Sequence, residues 1–231
     1  MHCQLSAFLV TRMNDTKVYI ADTDILNDEK LFGELYETVS PVRQKKIDAF
    51  IFQKDKKLCL AAELLLNKAL SDEGIEKYIV EYGQYGKPYL ENEKVFFNLS
   101  HSEDMVMCAV SSCEVGCDVE KVADIDLDIA RRFFYASEYD AIISAQNRFE
   151  RNDIFFRLWT LKESYMKATG LGMNLPLDSF RVNIHQENIT VCKDDVTESY
   201  FFREYDFNNG YKYAVCSGTR NIADARFVSL V

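Results

Sequence analysis

Asp118 and Glu120 stand two residues apart in Val115-Gly116-Cys117-Asp118-Val119-Glu120. A later segment, Arg157-Leu158-Trp159-Thr160-Leu161-Lys162-Glu163-Ser164-Tyr165-Met166-Lys167, adds a third acid and two lysines. If 115–120 is a strand, Val115, Cys117 and Val119 share one face while Asp118 and Glu120 share the other. Two residues along a strand span roughly 6.6 Å, and like charges that close repel by about 2.5 kcal/mol at an effective dielectric of 20. A divalent cation removes that conflict. Carboxylate pairs completed by phosphate oxygens and water are the usual protein seat for Mg²⁺, and Glu163, arriving on a helix, would finish the protein's share. The competing reading makes Asp118 and Glu120 a solvated strand face and pairs Glu163 with Lys167 one helical turn later.

Such a site needs a strand and a long helix to hold it, and the sequence offers both. A strand is expected over 115–120 and an amphipathic helix over 153–169, stopped by Gly170 and Gly172. Upstream, Ser40-Pro41 opens a helix over 42–54, with Ser as N-cap and Pro at its first position. An apolar-periodic run over 58–70, with Leu60, Leu64 and Leu65 on one face, makes a helical hairpin or one broken helix with it. Further strands are expected over 78–82, 95–100 and 105–111, helices over 128–134 and 137–145, then strands over 180–184, 189–192, 200–205 and 211–217. Helices beside mainly antiparallel strands, twice over, indicate an α+β protein in α/β two-layer form. The expected architecture is a pseudo-dimer of two similar halves in one chain, 1–112 and 113–231.

The 231 residues, 48% hydrophobic and 13% aromatic, are enough to fill a core. Three prolines and nine glycines leave no flexible linker. Met1-His2-Cys3-Gln4-Leu5 lacks a basic flank, and no stretch reaches about eighteen uncharged apolar residues, so a cytoplasmic protein with no membrane partner is expected. Seven cysteines, odd in number and scattered, read as buried free thiols. Cys113 and Cys117 form a close pair without a second Cys/His pair, which argues against zinc. A net charge of −10 argues against nucleic-acid binding but allows a local basic pocket. Positive charge gathers at Arg43, Lys45 and Lys46 with Lys54, Lys56 and Lys57, and again at Lys162 and Lys167. Lys45, Lys54 and Lys56 read as solubilising charges.

Three segments belong together: Tyr85-Gly86-Lys87-Pro88, Phe97-Asn98-Leu99-Ser100-His101-Ser102, and Gly116-x-Asp118-x-Glu120 followed by Trp159-x-x-Lys162-Glu163-Ser164-x-x-Lys167. In that order and spacing they resemble the Sfp-type 4′-phosphopantetheinyl transferases. The resemblance runs from about Ser40 to Ser217 and includes Ala130-Arg131-Arg132-Phe133-Phe134, Ser137-Glu138-Tyr139 and Leu175-Pro176-Leu177-Asp178-Ser179-Phe180. It implies that family's fold, a monomer of two pseudo-symmetric halves with coenzyme A in the cleft between them. It also implies the family's reaction, in which the phosphopantetheine arm of coenzyme A passes to a serine of an acyl, peptidyl or aryl carrier protein and adenosine 3′,5′-bisphosphate leaves. Carriers of peptide, polyketide and fatty-acid synthesis are the expected partners. The alternatives are a catalytically silent coenzyme A binding or scaffold protein, and a Mg²⁺-dependent phosphate hydrolase with no protein substrate.

Residue by residue, the resemblance makes Asp118, Glu120 and Glu163 ligands of Mg²⁺, with Mn²⁺ as the alternative, and Glu163 a base toward the serine as well. It makes Lys162 and Lys167 contacts of the coenzyme A phosphates, Lys162 counting also among the catalytic groups. The two lie five apart, about 140° around a helix, so both reach one anion only by bending their stems. Ser100 and His101 would hold the 3′-phosphate and adenine side, Lys87 would lie near the adenine, and Arg43 and Lys46 would reach the 3′-phosphate. A histidine beside phosphate becomes a stabilised imidazolium, which would weaken binding above neutral pH. A Ser/His nucleophilic pair lacks the Gly-x-Ser-x-Gly elbow it would need. Trp159 is expected to pack behind its helix rather than serve as a stacking platform. Where relatives often place an arginine and a small hydroxyl residue this chain has Leu58-Cys59, so either Lys57 substitutes or one adenosine contact is lost. The carrier is expected to meet 121–128 through Val122, Ile125 and Leu127, with Arg131 or Arg132 facing its acids.

Overall fold

A computed structural model describes residues 15–92, 94–186 and 188–231. Cys3 and the N-terminal pentapeptide lie outside these residues. The first elements are β1 (Thr16–Asp22), α1 (Glu29–Tyr36), α2 (Pro41–Asp48), α3 (Gln53–Ser71), β2 (Val80–Tyr82), β3 (Pro88–Leu90), β4 (Phe96–Ser102), β5 (Met105–Ser111) and β6 (Val115–Lys121). They are followed by α4 (Leu127–Phe133), α5 (Ala136–Ile143), α6 (Arg148–Thr169), β7 (Phe180–His185), β8 (Asn188–Lys193), β9 (Val196–Thr197), β10 (Phe201–Tyr205), β11 (Tyr211–Ser217) and β12 (Ile222–Phe227).

Local chemistry sets the helix ends. Ser40 accepts the N–H of Arg43 and Pro41 occupies the first turn of α2. That helix ends at Asp48 rather than near 54, and α3 starts at Gln53 rather than 58. The first turn of α3 is polar and exposes its side chains, so apolar periodicity signals the helix only from Leu58. Similarly, α6 begins before 153, because Asn147 accepts the N–H groups of Phe149 and Glu150. Gly170 closes α6 in the left-handed conformation at φ 71°.

The first sheet has the order β12-β1-β5-β4, with β12 parallel to β1 and the other pairs antiparallel. The second runs β10-β11-β6, all antiparallel. The smaller sheets are β7-β8-β9 and the β2-β3 hairpin. Neither β1 nor β12 was expected from the sequence. Val18, Tyr19, Ile20 and Ala21 are all buried, so β1 is a continuous apolar run without the alternation that marks a half-buried strand. Its neighbour β12 brings the far end of the chain back across residue 112 into the first sheet.

Three cores result. In one, α3 packs Leu60, Leu65, Leu66, Ala69 and Leu70 on Val106, Cys108 and Val110 of β5. In another, α6 sets Phe155, Leu158, Leu161 and Tyr165 among Phe180, Val191, Ala214 and Cys216. The third joins the two large sheets, with Val18, Ile20, Met107 and Ala109 meeting Val115, Cys117, Val119, Tyr213 and Val215. Strands β4 and β6 flank this junction without pairing as strands. Instead Asn98 Oδ1 accepts the N–H of Cys117 at 2.9 Å, Ser100 Oγ that of Val119 at 3.3 Å, and Ser102 Oγ that of Lys121 at 3.1 Å. Both strands repeat every two residues, so side chains from one face of β4 meet alternate N–H groups on the open edge of β6.

Among the described residues, Cys59, Cys108, Cys117 and Cys216 are buried free thiols, while Cys113 and Cys192 are partly exposed. No helix of the described residues is long and apolar enough to cross a membrane.

Candidate active site

Gly116, Asp118 and Glu120 share the face of β6 turned toward α6. The helix crosses so closely at Gly116 that a Cβ there would lie 2.1 Å from the carbonyl oxygen of Ser164 and 2.4 Å from the N of Ala168. The adjacent helix residues Glu163 and Lys167, one turn apart, therefore stand over the two acids of the strand. A cavity of about 340 Å³ is lined by Leu99, Ser100, His101, Asp118, Glu120, Trp159, Glu163 and Lys167.

This placement removes the solvated-face reading, since Asp118 is only 2% exposed. It also replaces the Glu163–Lys167 pair of that same reading. The Lys167 ammonium lies 2.6 Å from Asp118 Oδ1 and donates to Ser100 Oγ at 3.0 Å and to the Cys117 carbonyl at 3.2 Å. Those three contacts use all three of its protons. Burial opposes the charge on Lys167, but Asp118, Cys117 and Glu163 outweigh it and raise its pKa. Asp118 Oδ1 also accepts from Ser100 at 2.8 Å, whereas its buried Oδ2 has no hydrogen-bond partner.

Glu120 Oε2 accepts from Ser102 Oγ at 2.9 Å. Burial first, then the charge of Asp118, pushes the Glu120 carboxyl up to about 7. The same two causes raise Glu163. Three acids that resist ionising together, one with an orphaned buried oxygen, suit an electropositive guest and so fit a divalent cation. They are not a closed cage: among the described residues, no three His, Cys, Asp or Glu side chains are gathered tightly enough to hold a metal by themselves. Mg²⁺ needs only one or two carboxylates when substrate phosphate and water supply its other ligands.

His101 stands at the cavity mouth. Desolvation of the ring, and then the Lys167 ammonium, lower its pKa. Lys46 adds to that lowering while Asp55 opposes it.

Lys87 donates to the Ala168 carbonyl at 2.7 Å and the Val115 carbonyl at 3.2 Å. It lines a second cavity of about 200 Å³ with Tyr85, Gly86, Met166 and Gly170, and Lys167 borders this cavity and the acidic one alike. Arg43 and Lys46 line a third, of about 860 Å³, beside Glu63, Asn67 and Tyr78. The Arg43 guanidinium is held there by Glu63 Oε2 at 2.5 Å and reaches Cys59 Sγ at 3.7 Å. Lys57 bonds Asn27 and lines none of these three cavities, and Leu58 is buried in the core under α3. The Lys57 ammonium is thus engaged by Asn27, and its part in adenosine binding stays a proposal.

Lys162 is corrected outright. Its side chain is 0% exposed, lies 2.8 Å from Glu138 Oε2, and donates to the carbonyls of Leu177 at 2.8 Å and Phe180 at 2.6 Å. Sitting 140° around α6 from Lys167, it points into the core of α5 and β7 and cannot meet a ligand in the acidic cavity. Trp159 packs as expected, stacked on Phe155 with centroids 5.7 Å apart, and one side of it also lines the cavity. Gly116, Ser102 and Glu138 stand in the quoted motifs without a role of their own there, and Glu63 is not among the candidates read from the sequence. A glycine inside a strand is a signal of close backbone approach. Ser102 shares strand parity with Asn98 and Ser100, whereas nothing local to Glu138 or Glu63 shows their distant partners, Lys162 and Arg43.

Two family models together match most of the chain. Residues 114–216 match the 4′-phosphopantetheinyl transferase superfamily, and residues 28–113 match 4′-phosphopantetheinyl transferase, N-terminal. The 4′-phosphopantetheinyl transferase gsp of Aneurinibacillus migulanus is 35% identical over 195 residues, 82% of this chain and 81% of that protein. The 4′-phosphopantetheinyl transferase Sfp of Bacillus subtilis is 35% identical over 184 residues, 78% of this chain and 82% of that one. The chain belongs to the 4′-phosphopantetheinyl transferase superfamily. This transferase is also similar to the L-aminoadipate-semialdehyde dehydrogenase-phosphopantetheinyl transferase of Xenopus laevis, 29% identical over 206 residues, 78% of this chain and 68% of that protein. It is therefore an enzyme of α+β fold that transfers phosphopantetheine, and coenzyme A is the family's substrate.

Proposed function

We propose that this transferase moves the 4′-phosphopantetheine arm of coenzyme A to a serine of apo carrier proteins, with Mg²⁺ or Mn²⁺ held by Asp118, Glu120 and Glu163. The observation that carries the reading is the buried, unpartnered Oδ2 of Asp118 in a cavity that Glu120, Glu163 and Lys167 also line. A cation bound there would draw charge from the pyrophosphate as the phosphorus is attacked. Lys167 keeps its charge beside that point. Glu163 serves as ligand first and as acceptor of the serine proton second, its raised pKa suiting the second role. Lys87, Arg43 and Lys46 take the nucleotide side together with Ser100 and His101. In this reading 1–112 supplies most of the nucleotide side, 113–231 supplies the acids and the carrier face, and the enzyme works as a cytoplasmic monomer.

The test is intact mass. Purified protein with coenzyme A, Mg²⁺ and a panel of apo carriers is expected to add one phosphopantetheine to a carrier. Glu163→Gln is expected to slow this by about 10²-fold or more, the range of a lost general base. A carrier whose mass never changes while phosphate appears in solution would instead indicate a hydrolase.

Protons and cation compete at Glu120. With this carboxyl pushed up to about 7, cation binding weakens as pH falls through 7 and reaches full strength only a unit or more above it. The Mg²⁺ concentration giving half-maximal rate should therefore rise up to about tenfold per pH unit on the acid side and flatten on the alkaline side. A requirement that ignores pH would remove Glu120 from the cation site.

For the carrier, Arg131 and Arg132 are exposed on α4, where Ile129 is 42% exposed. Ile125 and Leu127 instead pack against the α6 core and offer less apolar surface than their sequence suggests. Arg131→Glu is expected to raise the carrier KM several-fold with kcat unchanged. An unchanged KM would place the carrier elsewhere.

A further inference from the structure

The seam between β4 and β6 also reaches the acids. Ser102 Oγ accepts the Lys121 N–H at 3.1 Å and donates to Glu120 Oε2 at 2.9 Å. Ser100 repeats the relation two residues earlier, accepting from Val119 at 3.3 Å and donating to Asp118 Oδ1 at 2.8 Å. Each serine thus holds the N–H of one residue of β6 and the carboxylate of the residue before it. Its single proton goes to the acid because the backbone N–H can only donate. Asn98 takes the N–H of Cys117 one step before the acids begin.

The two acids are not held equally. Asp118 is fixed by Lys167 as well as Ser100. Among the described residues Glu120 has no ion-pair partner, and the Ser102 hydroxyl is its hydrogen-bond donor. Glu120 also has the longer, more flexible stem, and the charge of Asp118 acts on it. Without a tether its carboxylate would turn away from Asp118.

We propose that Ser102 is a positioning residue for Glu120, holding its carboxylate beside Asp118 in the orientation in which the pair accepts a divalent cation. The bond to Oε2 leaves Oε1 for the ion. The proposal rests on the reading of Asp118 and Glu120 as cation ligands. Groups that orient a ligating carboxylate typically change metal affinity by about 10–100-fold when removed.

The experiment titrates full-length protein with Mn²⁺ in the presence of coenzyme A, reading free Mn²⁺ by electron paramagnetic resonance and following thermal unfolding of the same samples. Ser102→Ala is expected to weaken Mn²⁺ binding about tenfold, and Ser102→Thr, which keeps the hydroxyl, to restore it. Asn98→Ala should lower the unfolding temperature with Mn²⁺ affinity kept, because it opens the seam without touching an acid. If Ser102→Ala binds Mn²⁺ like the wild type, or if Asn98→Ala weakens binding as much, the serine only joins the sheets and the proposal fails. Glu120→Gln separates the two levels: binding equal to wild type in that variant overturns the cation site itself, and the proposal with it.

Discussion

Lys162→Ala is expected to destabilise the protein by about 3–5 kcal/mol, the cost of removing one member of a buried ion pair. For a chain of this size that lowers the unfolding temperature by roughly 6–20 °C. The variant strands Glu138, which is 4% exposed, and removes the donor to the carbonyls of Leu177 and Phe180. Glu138 also accepts the N–H groups of Tyr135 at 2.9 Å and Val182 at 2.7 Å, so the loss spreads across α5, α6 and β7. Lys162→Met with Glu138→Gln should recover much of the stability, because no buried charge is left unpaired. The coenzyme A KM of the folded fraction should match the wild type. Urea unfolding and KM together decide the point: normal stability with a raised KM would return Lys162 to the phosphate site.

Gly116→Ala should damage the site itself. The added Cβ would meet Ser164 O at 2.1 Å, Ala168 N at 2.4 Å and Lys167 C at 2.9 Å, all of them backbone atoms of α6. No rotamer relieves that clash, so the helix must retreat and take Glu163 and Lys167 away from Asp118 and Glu120. Overpacking of this kind costs about 1–3 kcal/mol. Misplacing reacting groups by about 1 Å can cost on the order of 10²-fold in rate. The expected result is a folded protein with a clearly lower unfolding temperature and kcat/KM reduced about a hundredfold or more. A variant with the wild-type rate would mean that the acids do not depend on how closely α6 approaches β6.

The same residues divide what was legible in the chain from what was not. The pairing of Asp118 with Glu120 on one face of β6, the place of Glu163 on a following helix, and the ordered motifs were all readable, because strand alternation, helix periodicity and motif spacing are local. The 140° between Lys162 and Lys167 was readable too. Which of the two faces the acids was not, since it depends on where β6 and β7 lie around α6. A lysine stem has little preference of its own; Lys167 finds Ser100 and Asp118, and Lys162 finds Glu138, only after distant segments have packed. The solvated-face reading failed for the same reason, because β4 and α6 cover a strand face that looks polar in sequence. The strands β1 and β12 escaped because β1, buried on both faces, shows no alternation, and its parallel neighbour comes from the opposite end of the chain. Local pattern in the chain sets which groups could do the chemistry and on which elements they ride. The tertiary structure alone decided which charge meets which, because burial and ion pairing depend on the neighbours that folding brings into reach.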